Sequence, residues 1–175
     1  MVYRMTEENR SDFRSPKVAK MTQHPDDAMF SIKLVSPQHL DHSLFMPGDG
    51  QSWMNFSDST RGSALADGIK AGHRALVYVT QEQKFIWAIE YTGPVQNGEP
   101  LVAASGNAVS PEWSRVFLPI RFLATNDLAS APDAQSVLQR SGVTFRPYGA
   151  SMYRISADEY QRIYDAIEWE WREPA

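Results

Sequence analysis

Gly149-Ala150-Ser151-Met152-Tyr153-Arg154-Ile155, followed by Ser156-Ala157-Asp158-Glu159-Tyr160-Gln161-Arg162-Ile163, reads as a short strand that runs straight into a helix. Ser156 stands at the helix N-cap position and Glu159 three residues on, the capping-box spacing in which each side chain satisfies an otherwise orphaned backbone N–H. Tyr160, Ile163, Tyr164, Ile167 and Trp171 fall at i, i+3, i+4, i+7 and i+11, one apolar stripe. Arg162, Asp165, Glu168 and Glu170 lie off it. A helix with such a stripe needs a partner, most simply the sheet to which its leading strand belongs.

Working outward, 175 residues fit one domain with a tail, and are enough to bury a real core. Apolar content of 42% with 22% charge places the chain among soluble globular proteins. No apolar run reaches the ~18–20 residues of a membrane helix. The opening residues show no secretory signal pattern. The absence of cysteine excludes disulfides, thiolate zinc sites and thiol nucleophiles, and fits a cytoplasmic protein. A net charge of −4 argues against non-specific attachment to a nucleic-acid backbone but leaves room for a local basic face.

Residues 1–27 sustain neither helical nor strand period, and read as a flexible N-terminal tail. Arg4, Arg10, Arg14, Lys17 and Lys20 make it basic, either an idle leader or an arm that touches phosphates. Residues 28–175 form the domain. Met29 to Val35 alternates as a first strand, with Lys33 its one charge, and Ser36-Pro37 ends it. Ser52 to Ser57 is too short and polar-edged for a core strand. Asp58-Ser59-Thr60 can cap a helix over Arg61 to Ile69. Arg74–Thr80 and Lys84–Tyr91 read as a hairpin.

Trp113 to Leu123 is a further strand whose internal Pro119 predicts an edge or a bulge. Asp133 to Arg140 is a short helix between Pro132 and Gly142. Val143 to Arg146 is extended, and Pro147-Tyr148-Gly149 turns into the opening stretch. The order predicts an α+β protein: a small curled barrel of mostly antiparallel strands with helices packed outside.

Little points to catalysis. His39 and His42 could ligate a metal, but no third ligand is evident. There is no phosphate-binding glycine loop, nucleophile elbow or placed carboxylate pair. No cofactor is expected, and the chain reads as a non-enzyme. What it does have is aromatics in loops and at strand ends: Trp53, Phe56, Trp113 and Tyr148. Aromatic side chains on a sheet rim can stack or clamp a base, and Asn55 between Trp53 and Phe56 could read its edge. Trp87 and Trp171 read as packing, the first in the hairpin and the second on the helix stripe. For Trp53 and Trp113 both readings stand, a stacking wall and plain packing.

Several segments together resemble the EVE family, a branch of the PUA-like superfamily related to YTH domains. They are Phe30-Ser31-Ile32-Lys33 with Ser36-Pro37, Trp53-Met54-Asn55-Phe56, Lys70-Ala71-Gly72-His73-Arg74, Ile86-Trp87-Ala88-Ile89-Glu90, Glu112-Trp113 with Pro119, and Ser151 with Tyr153-Arg154-Ile155 and the final helix. The likeness spans roughly residues 29 to 168, with Met54 where the family often has Arg and His73 where it has Asp. It implies a PUA-like barrel of five to six strands. It also implies a pocket for a flipped modified base, either modified cytosine in DNA or a modified base in RNA. On this chain the pocket maps to Trp53, Asn55, Phe56, Ser57 and Trp113, with Tyr148 and Ser151 on the far wall. Lys33, Arg61, Arg146 and Arg154 become candidates for backbone phosphates.

Two other classes are weighed against this reading. A nuclease or hydrolase acting on RNA or nucleotides needs Lys33, His39 or His73 to converge with an acidic group. A protein-interaction module needs an exposed apolar patch, and the acidic end with Glu168, Glu170 and Glu173 is compatible with a protein partner.

Overall fold

The structure, a computed structural model, describes residues 29–37, 40, 44–45, 52–57, 59–97 and 115–175. The strands are β1 (Phe30–Val35), β2 (Leu44–Phe45), β3 (Ser52–Phe56), β4 (Arg74–Val79), β5 (Lys84–Tyr91), β6 (Gln96–Asn97), β7 (Val116–Thr125), β8 (Met152–Ile155) and β9 (Trp171–Arg172). Three described helices interrupt them: α1 (Thr60–Asp67), α2 (Ala134–Ser141) and α3 (Ala157–Ala166). The strand order is β2-β3-β7-β5-β4-β1-β8, and β6 and β9 both pair with β7. The β1–β4 pair is parallel, as a crossover through β2, β3 and α1 allows, and the other described pairs are antiparallel. The fold is the α+β curled half-barrel that the sequence predicts, with six strands longer than two residues.

The curl is visible in one contact. The Lys33 ammonium on β1 lies 4.5 Å from the centre of the Phe56 ring on β3. Three strands separate β1 from β3 in the sheet, so the sheet must wrap round for them to meet. Strand alternation then yields two cores. Inside the curl, Val35, Met54, Phe56, Val77, Ile89, Tyr91 and Leu118 pack together with Ala66 and Ile69 from the α1 region. Outside it, Ile32, Leu76, Phe85 and Ala88 receive Val137 of α2 and Tyr160 and Ile163 of α3.

The capping box forms as expected. The Ser156 hydroxyl accepts from the Glu159 N–H at 3.1 Å, and the Glu159 carboxylate accepts from the Ser156 N–H at 2.8 Å. Asp133 caps α2, and Gly142 ends it with φ of 68°, a conformation glycine adopts without the Cβ penalty. Ser59 caps α1 by accepting from the Gly62 N–H at 3.2 Å. A Cβ on Gly62 would sit 2.2 Å from the Ser57 carbonyl oxygen, so only glycine lets α1 lie this close to the end of β3.

Three expectations are corrected. Ser52–Phe56 is a paired strand with Met54, Asn55 and Phe56 buried, because β2 and β7 flank it on both sides. β7 is not an edge strand: it holds β3 on one flank, and β5 and then β6 on the other, and of the two expected features it carries the irregularity, at Leu123 between the Ala88–Ala124 and Ile89–Phe122 pairs. The Pro119 carbonyl accepts from the Thr92 N–H at 2.9 Å. A strand residue directs its N and C=O to the same side, so the missing N–H of Pro119 faces the gap between β5 and β6. Trp171 does not extend the helix stripe. α3 stops at Ala166, and Trp171 lies in β9 opposite Thr125 with 47% of its surface exposed.

Candidate nucleic-acid interface

β3 positions the first group of residues. Trp53 and Asn55 alternate with Met54 and Phe56, so the two pairs face opposite sides of the strand. Trp53 stands opposite Pro119 on β7, and Asn55 opposite Phe117. The Trp53 indole meets the Phe117 ring edge-on, with centroids 5.0 Å apart. Asn55 is buried beside them. The Trp53 indole N–H is also buried, and it has no hydrogen-bond partner among the described residues. A buried donor left unmade costs about 1–3 kcal/mol, so it stands ready for an acceptor.

Phe56 turns the other way, into the barrel, where it lies beneath Lys33. Ser57 serves the chain turn, its hydroxyl accepting from the Ser59 N–H at 3.2 Å. Thus the structure brings Trp53 and Asn55 together and separates them from Phe56. Ser151 lies alongside β1, its carbonyl accepting from the Leu34 N–H at 2.8 Å. Tyr148 projects into solvent with 91% of its surface exposed, its backbone tied to the Tyr153 hydroxyl. Trp113, His24, His39 and His42 lie outside the described residues.

The interior side of β1 carries a second group, which the sequence reading left undrawn apart from Lys33 and Arg154. Ser31 and Lys33 both face inward and are buried. Burial alone pushes the Lys33 ammonium down to about 8, and its described neighbour is the Phe56 ring. Arg154 on β8 stands directly opposite Ser31 and therefore shares its face. His73, two residues before the inward Ala75, is also buried. Its carbonyl accepts from the Tyr91 N–H at 2.8 Å.

Every side chain here can donate. The His73 Nδ1 accepts from the Lys70 N–H at 3.0 Å, which puts the ring proton on Nε2. Burial, then the charges of Arg154 and Lys70, hold the imidazole below its ordinary value, so it stays neutral at pH 7. The hydroxyls of Ser31 and Tyr91 are buried without hydrogen-bond partners among the described residues. Donors with two cations at their rim suit an anionic oxygen. Alternation along Ser31-Ile32-Lys33 was the signal that could have found Ser31. His73 and Tyr91 required knowing the β4–β5 register.

Arg61 is exposed on the first turn of α1, and Arg146 is exposed on the run after α2, beside a separate cleft. No group of three or more acidic or histidine side chains able to hold a metal occurs among the described residues. No described helix is long and apolar enough to cross a membrane.

No family model matches the chain, and no curated protein sequence matches it. Solved structures do. A hypothetical protein from Leishmania major superposes with a TM-score of 0.53 at 13% identity, over 81% of this chain and 96% of that one. The YTH domain of the Zygosaccharomyces rouxii MRB1 protein, solved in complex with N6-methyladenosine RNA, gives 0.51 at 13% identity, over 83% of this chain and 90% of that one. At such identity the likeness is one of fold: the curled α+β half-barrel of this chain superposes on that of a YTH domain.

Proposed function

We propose that the protein is a nucleic-acid-binding module of the EVE and YTH kind, which holds an extruded modified base without altering it. The observation that carries this reading is the buried, unpartnered indole N–H of Trp53, set beside Asn55 on one face of β3. Trp53 and Phe117 supply aromatic surface, the indole N–H donates to an acceptor on the base, and the Asn55 carboxamide reads the base edge. Arg61, exposed on the first turn of α1 just after β3, is placed to hold a phosphate oxygen, while Arg154, Lys70 and the Nε2–H of His73 form a separate anion-holding group on the inner side. The fold likeness to a domain solved with N6-methyladenosine RNA supports the choice of a modified base in RNA over modified cytosine in DNA.

The test is a set of titrations by fluorescence anisotropy. Its ligands are matched RNA strands with and without one N6-methyladenosine, and matched DNA strands with and without 5-methylcytosine. The methylated RNA is expected to bind most tightly. Trp53→Ala should remove about 1–3 kcal/mol of that preference, roughly a 5- to 150-fold change, while the protein stays folded. Equal and negligible affinity for all four strands contradicts the proposal.

A further inference from the structure

The outer face holds a second concavity that the nucleic-acid reading does not use. A cleft of about 660 Å³ opens between α2, the β4–β5 turn at Gln83, and the run from Gly142 to Pro147. That run is built like a strand: Val143 is buried, Thr144 exposed, Phe145 half-buried and Arg146 exposed. Yet it pairs with no described strand. Among the described residues, the backbone N–H and C=O groups of Thr144, Phe145 and Arg146 make no hydrogen bonds.

The run is nevertheless held in place. The Val143 N–H donates to the Ser141 hydroxyl at 3.3 Å. The Phe145 ring is wedged edge-on between Tyr78, at 5.6 Å, and Tyr153, at 5.4 Å. The facing wall is equally fixed. Arg162 donates to the Ser141 carbonyl at 3.1 Å, and Arg140 to the Ala166 carbonyl at 2.8 Å, which pins α2 to α3. An open strand edge beside a fixed helix binds with little further ordering.

We propose that this cleft takes an extended peptide, which adds as a strand along Val143–Arg146 and sets an acidic side chain against Arg146. Free N–H and C=O groups along an extended run are matched best by another backbone, the recognition mode of strand addition. Gln83, Gln135 and Gln139 line the cleft with amides that both donate and accept, while Leu138 and Phe145 offer apolar contact. Among the described residues, Arg146 is the one formally charged residue in the lining. A single carboxylate balances it, whereas a polyanionic backbone would find one cation.

The test pans a displayed library of random dodecapeptides on the full chain, then follows the enriched synthetic peptides by amide hydrogen exchange. Enriched peptides are expected to alternate apolar residues around an acidic one and to slow exchange at Thr144, Phe145 and Arg146. Thr144→Pro, which deletes one free N–H, should weaken them about tenfold. Arg146→Glu, at an exposed position, should switch the selection towards basic peptides. The proposal is overturned if nothing enriches above the library background. It is overturned equally if Arg146→Glu leaves the charge preference unchanged, or if oligouridine RNA rather than peptide protects those amides.

Discussion

The two sides of β1 live in different surroundings. On the outer side, Phe30, Ile32 and Leu34 join a closed apolar layer, with the Phe30 ring 5.1 Å from that of Tyr160 on α3. On the inner side, Val35 joins the other apolar core, while Ser31 and Lys33 are buried, the Ser31 hydroxyl without a hydrogen-bond partner among the described residues and Lys33 over the Phe56 ring. The same six residues thus join a wholly apolar face to one that buries two polar side chains. A sequence shaped only for stability would place apolar groups at Ser31 and Lys33 as well, because an unmade buried hydrogen bond costs about 1–3 kcal/mol. That β1 does not do so makes the barrel interior, together with the Trp53 face of β3, the place to test for a ligand.

The outer layer depends most heavily on α3. Ile163 is fully buried in the outer layer. Ile163→Ala should destabilise the protein by about 2–5 kcal/mol in urea unfolding, leaving the base preference of the folded fraction intact. A loss below about 1 kcal/mol would show that the outer layer does not carry the fold.

Lys33 tests the other side. Its folded value of about 8 lies below the ordinary 10.5, so between these limits the unfolded chain binds more protons and stability rises with pH. Above pH ~10 the trend reverses, because burial raises the Tyr91 and Tyr160 hydroxyls and the unfolded chain loses those protons first. Lys33→Met should flatten the lower window and stabilise the protein at pH 7 by about 2–3 kcal/mol. Denaturant midpoints at half-unit pH steps read both effects. A wild-type curve that is flat from pH 8 to 10 would remove the buried cation from the account.

The smallest effect sharpens the contrast. Ser156→Ala removes the hydroxyl half of the capping box and should cost about 1 kcal/mol, without altering ligand preference. Equal loss of stability and of preference would mean that the two layers are not separable.

The outer layer was legible in the sequence because its signals are local. Ser156 and Glu159, the Tyr160–Ile163–Ile167 spacing and the apolar, strand-forming run of Arg74–Val79 depend on residues a few positions apart. β3 was not, since Ser52–Phe56 becomes a buried strand only through β2 and β7. Nor was Trp171, which continues the helical spacing on paper but is carried off to β7 once Ile167 leaves the helical conformation, with φ of −89° and ψ of 129°. In the candidate site, alternation already separates Trp53 and Asn55 from Phe56, which the family likeness groups with them. The meeting of Ser31, His73, Tyr91 and Arg154 depends on register between strands distant in the chain, and no local pattern announces it.

The most direct measurement follows the indole N–H resonance of Trp53, assigned with Trp53→Phe, during titration with the two RNA strands. N6-methyladenosine RNA is expected to shift this resonance and slow its exchange with water, while unmodified RNA does so weakly. An indole signal unmoved by the methylated strand, while other resonances report binding, would contradict it.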